Sequence, residues 1–394
     1  MKKITILLLH MQHGGIEKQS ITFANNLVNK YEVEIICVYS MNKEPAYKLD
    51  DRVKVRYLIN DKPNRNEFKD AIRRKNPFKI IKEGFKSVKI LYLKNHLMKK
   101  AIKNLKCDFV LSTRCEFANI LSNVAPKGVI TMTQEHLHND SSEYISKIQK
   151  SFRNLDYLVV LGPGSKENYS KWLKDNQKIK IVQIPNILED MPSECSKLNN
   201  NNIVSVGRLH PEKGFEDLLH VLKKVIEVIP NVKLTLVGGG DEFDNLNSLA
   251  EKLDIKNNLV MTGMVEKEDV ENYMRNSSLY VMTSIAECFP MVLLEAGSLG
   301  LPLVSFDVPV GPRAIIENDV NGYLIKDRNQ DEMANKIIEL LQNKEKLETL
   351  GKSAREMSTK YLATNVMPLW YEIFDNGGNV WLQYLRLHII EKTH

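Results

Sequence analysis

The strongest constraint on the fold is an alternation of short apolar strands and amphipathic helices that runs along the 394-residue chain and restarts once. The first run opens with an apolar strand at 4–9 and helical spacing over 16–29. Further strands are predicted at 33–39, 53–59, 109–112, 129–132 and 157–161. Alternation of this kind is typical of parallel strands joined by crossover helices, so we predict an α/β fold.

The alternation restarts after a polar stretch at 192–202, which ends in four consecutive asparagines and is the best linker candidate. Strands are then predicted at 203–206, 233–237, 258–262, 279–282 and 303–306, and a short helix at 314–317. We therefore predict two Rossmann-like domains in series, 1–189 and 190–365, whose parallel sheets face each other across a cleft. An amphipathic C-terminal segment, 366–394, is expected to pack back on the first domain through Trp370 and Phe374.

Composition excludes several classes of protein. Hydrophobic residues make up 43% of the chain and charged residues 26%, which is typical of a globular protein and not of a disordered one. The five cysteines are irregularly spaced without a CxxC pair, which argues against a disulfide framework and a zinc site and favours a reducing compartment. No apolar run approaches the ~20 residues of a membrane span. The run 4–9 is too short for a signal peptide, so we expect a cytoplasmic protein.

The net charge of +6 is unevenly distributed, because residues 62–106 hold fifteen Lys and Arg but three Asp and Glu. Apolar residues interleave with these charges, among them Phe78, Ile80, Ile81, Phe85, Val88, Ile90, Leu91 and Leu93. The pattern predicts amphipathic helices that lie on an anionic membrane surface. It fits equally well two helices whose apolar side packs on the first domain while the lysines are solvated. A basic stretch on an otherwise acidic chain is not a nucleic-acid signature.

Glycine loops follow two of the predicted strands. Gly14-Gly15 separates the first strand from the first helix, where glycine lets backbone approach a ligand near a helix N-terminus; a tight turn is the favoured interpretation of this pair alone. The absence of GxGxxG argues against an NAD oxidoreductase. The string GGDEF at 239–243 marks diguanylate cyclases, but helical spacing after Phe243 predicts strand–loop–helix instead of a hairpin. We interpret this loop, which begins at Gly238, as a glycine turn near a nucleotide.

Two cations follow the first strand of the second domain. Arg208 and Lys213 lie in the loop 207–214, and ligands of open α/β domains bind beyond the carboxyl ends of the strands. Arginine can clamp two phosphate oxygens and lysine supplies a point charge. A solvated loop is the alternative, and the flanking Gly207 and Gly214 favour the binding interpretation.

The most informative stretch is 284–296, where a loop carrying Glu287 leads into a helix that begins near Pro290 and carries Glu295. Two carboxylates with seven residues between them can accept hydrogen bonds from two separate sets of sugar or ribose hydroxyls. The alternative makes Glu287 an N-terminal helix charge and Glu295 a solvated residue. The apolar neighbours of Glu295 argue against solvation.

The order of these motifs resembles the family-4 retaining glycosyltransferases of the GT-B architecture, over essentially the whole chain and most specifically over 203–325. The resemblance rests on Gly14-Gly15, GRLHPEKG at 207–214, LVGGG at 236–240, the E-x7-E pair, GLPLVSFD at 300–307 and GPR at 311–313. FPMVLLEA with SFDVPVGPR resembles, more narrowly, the branch that builds bacterial capsule and exopolysaccharide. Cys288 departs from the glycine that such motifs usually carry, which puts the shape of the donor-sugar pocket in doubt.

The resemblance implies roles for individual residues. Arg208 and Lys213 would bind the donor pyrophosphate and stabilise the departing nucleoside diphosphate, while Glu287 would contact the donor sugar and Glu295 the ribose. His136 or His138 would reach the sugar near the reacting carbon, with His136 favoured over its neighbour and over a surface-loop histidine. The remaining donor-binding residues would be Gly14 and Gly15 at the phosphates, Gly238, Met264 at the base, and Phe289, Pro290, Met291 and Val292 at the sugar and diphosphate.

We therefore expect a retaining glycosyltransferase that moves a hexose from a UDP-linked sugar to a hydroxyl of a growing, lipid-linked surface glycan. No Asp-x-Asp lies on a suitable loop, so neither a metal nor a cofactor is predicted. The expected partners are the nucleotide-sugar donor, the glycan acceptor and an anionic membrane at the cytoplasmic face, with no nucleic acid. Two alternatives stay open: a nucleotide-sugar epimerase or phosphorylase on the same architecture, and a non-catalytic glycan- or nucleotide-binding subunit.

Overall fold

The computed structural model of the protein describes residues 1–137 and 139–377. The chain divides into two units. Unit 1 comprises Met1–Leu161, Lys166–Ile187 and the segment that begins at Met367, and unit 2 comprises Gly162–Ser165 and Leu188–Val366. Within the described residues, no helix combines the length and the apolar character needed to cross a bilayer.

Unit 1 is built on a seven-stranded parallel sheet. Its strands are β1 (Lys3–Leu8), β2 (Glu32–Tyr39), β3 (Lys54–Ile59), β4 (Phe109–Ser112), β5 (Ile130–Gln134), β6 (Tyr157–Val160) and β7 (Lys180–Gln183). The strand order is β3-β2-β1-β4-β5-β6-β7, so the direction of winding reverses between β1 and β4. The central strands are buried along almost their whole length, as their continuous apolar runs require in a sheet covered on both faces.

The helices of the first half are α1 (Gly15–Leu27), α2 (Arg65–Arg73), α3 (Pro77–Lys103), α4 (Cys115–Val124), α5 (Ser142–Ser151) and α6 (Pro163–Trp172). The predicted basic stretch thus forms α2 and the 27-residue α3. Asn76 caps α3 by accepting a hydrogen bond from the Lys79 N–H at 3.1 Å, and Pro77 occupies the first turn, where its missing N–H costs nothing.

Unit 2 is built on a six-stranded parallel sheet in the order β10-β9-β8-β11-β12-β13. Its strands are β8 (Asn202–Val206), β9 (Lys233–Val237), β10 (Leu259–Met261), β11 (Leu279–Met282), β12 (Leu303–Phe306) and β13 (Gly322–Ile325). Its helices are α7 (Phe215–Val228), α8 (Phe243–Lys252), α9 (Lys267–Arg275), α10 (Met291–Ser298), α11 (Gln330–Gln342) and α12 (Lys344–Ser358). Two parallel sheets with crossover helices confirm the predicted fold class.

Local predictions were right where the apolar pattern was strong. The GGDEF string lies between β9 and α8, which begins at Phe243, so the strand–loop–helix interpretation is confirmed. The helix predicted over 314–317 is wrong: the chain forms one 3-10 turn, Pro312–Ala314. The cause is the Asn321 side chain, which accepts from the Glu317 N–H at 2.8 Å and donates to the Ile315 carbonyl oxygen at 2.9 Å. Both backbone groups are thereby diverted from a helix.

The last described helix, α13 (Ala363–Asp375), contributes aromatic residues to unit 1. Trp370 lies with its ring centroid 4.5 Å from that of Phe23, and Phe374 lies 4.9 Å from Phe109. At the C-terminal end of α13, Asp375 accepts a hydrogen bond from the Tyr31 hydroxyl at 2.7 Å. The strands of unit 1 therefore share a core with a helix that lies nearly 180 residues beyond Ile187 in the sequence.

Candidate functional site

In unit 2 the winding of the sheet reverses between β8 and β11, and ligands of open α/β sheets bind at such a switch point. The loops that follow these two strands are hydrogen-bonded to each other. The Ile285 N–H donates to the Glu212 carbonyl oxygen at 2.8 Å, and the Thr283 hydroxyl donates to the Lys213 carbonyl oxygen at 3.2 Å. Two predicted motifs that lie more than 70 residues apart thus meet at one edge of the sheet.

Lys213 and Glu287 form a direct ion pair between the β8 and β11 loops. We call the space between these two loops the crevice. The Lys213 Nζ lies 2.5 Å from the Glu287 Oε1, and the Ser284 hydroxyl donates to the same oxygen at 2.8 Å. The side chains are 26% and 14% exposed, so the pair is partly screened from water and still accessible. Because an ammonium group has three donors, Lys213 can hold Glu287 and offer its remaining N–H groups to phosphate oxygens.

Arg208 lies two residues beyond β8 on the same loop and is exposed. Its guanidinium has no hydrogen bond or ion pair with any residue of the described ranges 1–137 and 139–377. The buried Leu209 anchors the loop directly behind it. The guanidinium is therefore available to an anion from solution.

Gly214 allows the two loops to approach so closely. Its φ of +61° is in the left-handed region, and a Cβ built on it would lie 2.2 Å from the Thr283 carbonyl oxygen. Any other residue would combine an unfavourable backbone conformation with an overlap against main chain. Gly214 thus lets the β8 loop touch the β11 loop.

Two residues that the sequence analysis missed fix the loop that presents Glu287. Arg328 donates to the carbonyl oxygens of Thr283 and Ser284, each at 2.9 Å, and pairs with Asp217 in the first turn of α7. The guanidinium also lies 4.5 Å from the ring centroid of Phe306. No local pattern marks these two residues, since Arg328 and Asp217 lie 111 residues apart.

Glu295 lies on α10 and is half-buried. The nearby Tyr280 is buried, and its hydroxyl is hydrogen-bonded to the backbone of Val206 at 3.3 Å. Burial raises the pKa of Tyr280, and the negative charges of Glu287 and Glu295 raise it further. Both carboxylates therefore act on one hydroxyl, which places them in one electrostatic neighbourhood.

The start of α10 carries backbone donors that the helix itself does not use. Pro290 precedes the helix, Met291 and Val292 open it half-buried, and their N–H groups lie in the turn that has no intrahelical acceptors. Phe289 is buried, with its ring centroid 5.7 Å from that of Tyr361. The aromatic contact fixes the point at which the loop becomes a helix.

The glycine turn after β9 supports the Arg208 loop from the other side. A Cβ on Gly238 would lie 2.1 Å from the Gly207 carbonyl oxygen, and the Leu209 N–H donates to the Gly239 carbonyl oxygen at 3.0 Å. Met264 stands beside the turn, since its Cγ would lie 2.9 Å from a Cβ on Gly239. At 73% exposure, Met264 offers an apolar surface that a flat ring could cover.

Unit 1 has a polar cluster at its own switch point, between β1 and β4. Glu17 is 4% exposed, with the Arg114 guanidinium 3.2 Å and the His10 Nδ1 3.7 Å from its Oε1. A Cβ on Gly14 would lie 2.1 Å from the other carboxylate oxygen, whereas a Cβ on Gly15 would meet nothing. Gly14 therefore makes room for a buried carboxylate.

The sequence analysis missed the three polar members of this cluster. A usable signal existed for Arg114, since it follows the apolar run 109–112 at the carboxyl end of a strand, where the same rule had drawn attention to Arg208. Glu17 gave no such signal, because a carboxylate in the first turn of a helix is ordinarily a solvated N-terminal charge.

His136 follows β5, next to β4 in the sheet. Its Nε2 is buried and has no hydrogen-bond partner within the described part of the chain. Burial, assisted by the charge of Arg114, lowers the pKa of His136 to about 4. The imidazole is therefore neutral at pH 7, with a buried nitrogen able to form one further hydrogen bond. His138 lies outside the described residues.

The neighbouring Glu135 is a second buried titratable group that the sequence analysis missed. It is 4% exposed, and its Oε2 accepts a hydrogen bond from the Tyr144 hydroxyl at 2.6 Å. Burial raises the pKa of Glu135 to about 7, against the lowering effect of its bonds to Tyr144 and Tyr169. The β5–α5 segment that carries His136 is thus attached to the fold through a carboxyl that titrates near neutrality.

Replacing Glu135 with glutamine is expected to change how stability depends on pH. Because the folded-state pKa is raised, the carboxyl's contribution to the free energy of unfolding is full below the unfolded pKa of about 4.5 and is lost as pH rises through 7. The variant should therefore gain about 3 kcal/mol relative to wild type between those limits. Thermal unfolding across this range, with the exposed Glu143→Gln as control, measures the effect; parallel profiles for Glu135→Gln and wild type would contradict it.

Comparisons with known proteins agree with this architecture. Residues 186–357 match the family model of the glycosyl transferases group 1. The chain is 26% identical to the exopolysaccharide phosphotransferase SCO2592 of Streptomyces coelicolor, over 94% of its own length but 40% of that protein. It is 25% identical to the amylovoran biosynthesis glycosyltransferase AmsD of Erwinia amylovora, over 95% of this chain and 100% of that one.

Among solved structures, the fold is similar to that of a TarM variant of S. aureus in complex with fondaparinux, alpha-GlcNAc-glycerol and UDP. The TM-score is 0.75 at 16% identity, over 96% of this chain and 100% of that one. Such a likeness speaks for the fold alone, which is the GT-B arrangement of two parallel-sheet domains. The match to the glycosyl transferases group 1 model therefore covers residues 186–357, in a chain that has the GT-B fold and is similar over its length to a biosynthetic glycosyltransferase.

Proposed function

We propose that this protein is a retaining glycosyltransferase that moves a hexose from a UDP-linked sugar to a hydroxyl of a growing, lipid-linked surface glycan, without a metal ion. The observation that carries the proposal is the pairing of Lys213 with Glu287 at 2.5 Å, beside the exposed Arg208, at the switch point of unit 2. A nucleotide sugar carries an anionic diphosphate next to a hydroxyl-rich ring, and this crevice offers cations next to carboxylates.

The two cations would bind the diphosphate. When the bond between the sugar and the diphosphate breaks, negative charge develops on the leaving phosphate, and preorganised cations and helix N–H groups stabilise it. Arg208, Lys213 and the first turn of α10 are of that type. These positive groups could do the work that a divalent cation does elsewhere, which is why we propose metal independence. The UDP in the TarM complex supports uridine as the nucleotide.

The two carboxylates would bind hydroxyls. Glu287 would accept hydrogen bonds from the donor sugar, since it lies directly beside the phosphate-binding lysine. Glu295 lies further along α10 and would take the ribose, with the base against the exposed Met264. Carboxylates are acceptors only, so they select hydroxyl-bearing groups over phosphate.

Unit 1 would receive the acceptor, near the polar groups Glu17 and Arg114 at its own switch point. The acceptor oxygen would bond to the anomeric carbon as the bond from that carbon to the phosphate oxygen breaks. The proton of the hydroxyl would pass to the leaving phosphate on the same face of the sugar, which retains configuration without a protein nucleophile. A neutral His136 would hold a sugar hydroxyl without placing a positive charge beside the forming oxocarbenium ion.

The test is a panel of UDP- and GDP-sugars, each measured for thermal stabilisation of the protein and for transfer to lipid-linked glycans, with and without EDTA. We expect a UDP-sugar to raise the melting temperature and be consumed, EDTA to have no effect, and NMR of the product to show retained configuration. Stabilisation by GDP-sugars alone would contradict the nucleotide, and loss of transfer in EDTA would contradict metal independence. Donor turnover without a new glycoside would indicate an epimerase or phosphorylase.

A further inference from the structure

Helix α3 carries a row of large apolar side chains that point away from the protein. Phe78 is 85% exposed, Phe85 76% and Val88 68%. Together with Ile81 and Tyr92 they recur at intervals of three and four residues, which places them along one face of the helix. We call these five residues the exposed stripe. Single exposed apolar residues are ordinary, but a continuous row of five marks a contact surface.

The other side of α3 is the one that holds it to unit 1. Met98 and Ile102 are buried in the core, the Ser87 hydroxyl donates to the Asn64 side chain at 2.9 Å, and Lys94 pairs with Glu116 at 2.7 Å. Ile80, Ile90 and Leu93 are half-buried on this side. The alternative that the apolar residues of this stretch all pack on the first domain is therefore wrong for the exposed stripe, which faces solvent.

Positive charge borders the exposed stripe. Lys79, Lys82, Lys86 and Lys89 are all exposed within the same turns of α3, where Glu83 is the one acidic residue between Pro77 and Lys103. Three further lysines, Lys99, Lys147 and Lys150, line a cleft of about 530 Å³ between α3, α4 and α5, where Lys94 is paired with Glu116. Leu91 lines this cleft and is itself 57% exposed, so the cleft opens next to the stripe.

We propose that α3 is a membrane-docking helix, which lies on an anionic lipid bilayer with the exposed stripe at the boundary between headgroups and acyl chains. Lysines along the helix and in the adjoining cleft would contact lipid phosphates. Charge complementarity selects this occupant: an anionic surface neutralises the lysine row, whereas a second copy of the chain would bring a second row of lysines against the first. The inference rests on unit 1 alone and does not depend on the proposed reaction.

The experiment is vesicle flotation of the full chain with phosphatidylcholine, alone or mixed with phosphatidylglycerol, at low and high salt. Wild type is expected to float with the anionic vesicles at low salt and less at high salt. Phe78→Ser with Phe85→Ser and Val88→Ser should reduce the bound fraction at least about tenfold, because the apolar contact is lost. The matched control is Val228→Ser with Val260→Ser, which removes exposed apolar side chains of unit 2 and should float like wild type.

A second set of variants tests the charge. Lys82→Gln, Lys86→Gln and Lys89→Gln together should weaken partition onto anionic vesicles by about 100-fold and reduce its salt dependence. Exchange of three exposed lysines of unit 2, Lys344, Lys352 and Lys360, for glutamine should not.

Three results would overturn the inference. One is failure of wild type to float with anionic vesicles at low salt. Another is flotation of the stripe variant at the wild-type level. The third is light scattering that shows a wild-type dimer which the stripe substitutions convert to a monomer while no vesicles bind, since the occupant would then be a second copy. Circular dichroism of each variant separates loss of docking from loss of folding.

Discussion

Sugar transfer is expected to fall at least about a thousandfold when Arg208 and Lys213 are both replaced by alanine. The removal of a single group that stabilises developing charge typically costs 10²–10³ in rate, and these two would act on the same diphosphate. Lys213→Ala alone should produce most of the loss, because within the described residues it also leaves the Ser284 hydroxyl as the remaining side-chain hydrogen-bond partner of the Glu287 carboxylate. Nucleotide binding should weaken in parallel, since the same cations would hold the diphosphate before and after bond cleavage.

The measurement pairs initial rates of transfer with the affinity for the free nucleotide, by calorimetry or thermal shift. Lys252→Ala with Lys360→Ala is the matched control, because it removes two exposed positive charges from unit 2 away from the β8 and β11 loops. The double variant should melt near the wild-type temperature, since Arg208 makes no hydrogen bond or ion pair in the described ranges and the Lys213–Glu287 pair is partly exposed. Transfer at a near wild-type rate would disprove the phosphate-binding role of these two side chains.

Gly214→Ala is expected to destabilise unit 2 and to abolish nucleotide binding. The new methyl group would sit 2.2 Å from the Thr283 carbonyl oxygen at a backbone φ of +61°, so the β8 and β11 loops must separate. A left-handed alanine alone costs about 1 kcal/mol, and overlap with main chain adds about 1–3 kcal/mol more. Lys213 directly precedes Gly214, so its contact with Glu287 should be lost together with nucleotide binding.

Gly84→Ala serves as the control for this substitution. Gly84 lies inside α3, and an added Cβ would meet only the Phe68 ring at 3.6 Å, which is ordinary contact. Alanine there should be neutral or stabilise the helix by up to about 1 kcal/mol. Chemical unfolding and nucleotide titration of both variants test the pair. Wild-type nucleotide affinity in Gly214→Ala would show that the approach of the two loops is unimportant.

Much of the fold could be predicted from the sequence because the buried strands of a parallel sheet leave a distinct apolar pattern in it. Strands buried on both faces have unbroken apolar runs in the sequence, and β6 and β11 follow that rule. The short strands β7 and β13 were missed, since each is a four-residue edge strand with a weaker signal. The loop motifs around Arg208 and Glu287 could be recognised because the residues of each motif are contiguous in the sequence.

Contacts between residues that lie far apart in the sequence could not be predicted. Glu17 looks like any acidic residue in a first helical turn until the fold buries it against Arg114. The sequence also did not indicate which side of α3 faces solvent. Apolar residues at helical spacing predict a packed face, and α3 has two such rows, so the pattern does not tell which of them packs on the protein. The burial of Met98 and Ile102 in the core shows which of the two rows attaches α3 to unit 1.

The position of α13 in the chain has a consequence for synthesis of the protein. All seven strands of unit 1 leave the ribosome before unit 2 is made, whereas Trp370 and Phe374, which cover Phe23 and Phe109, come after it. At usual translation speeds the intervening residues take on the order of 10 to 40 s. For that time the nascent chain exposes an aromatic patch that chaperones or other nascent chains can bind. Folding of the first half can therefore finish only after unit 2 and α13 have been translated.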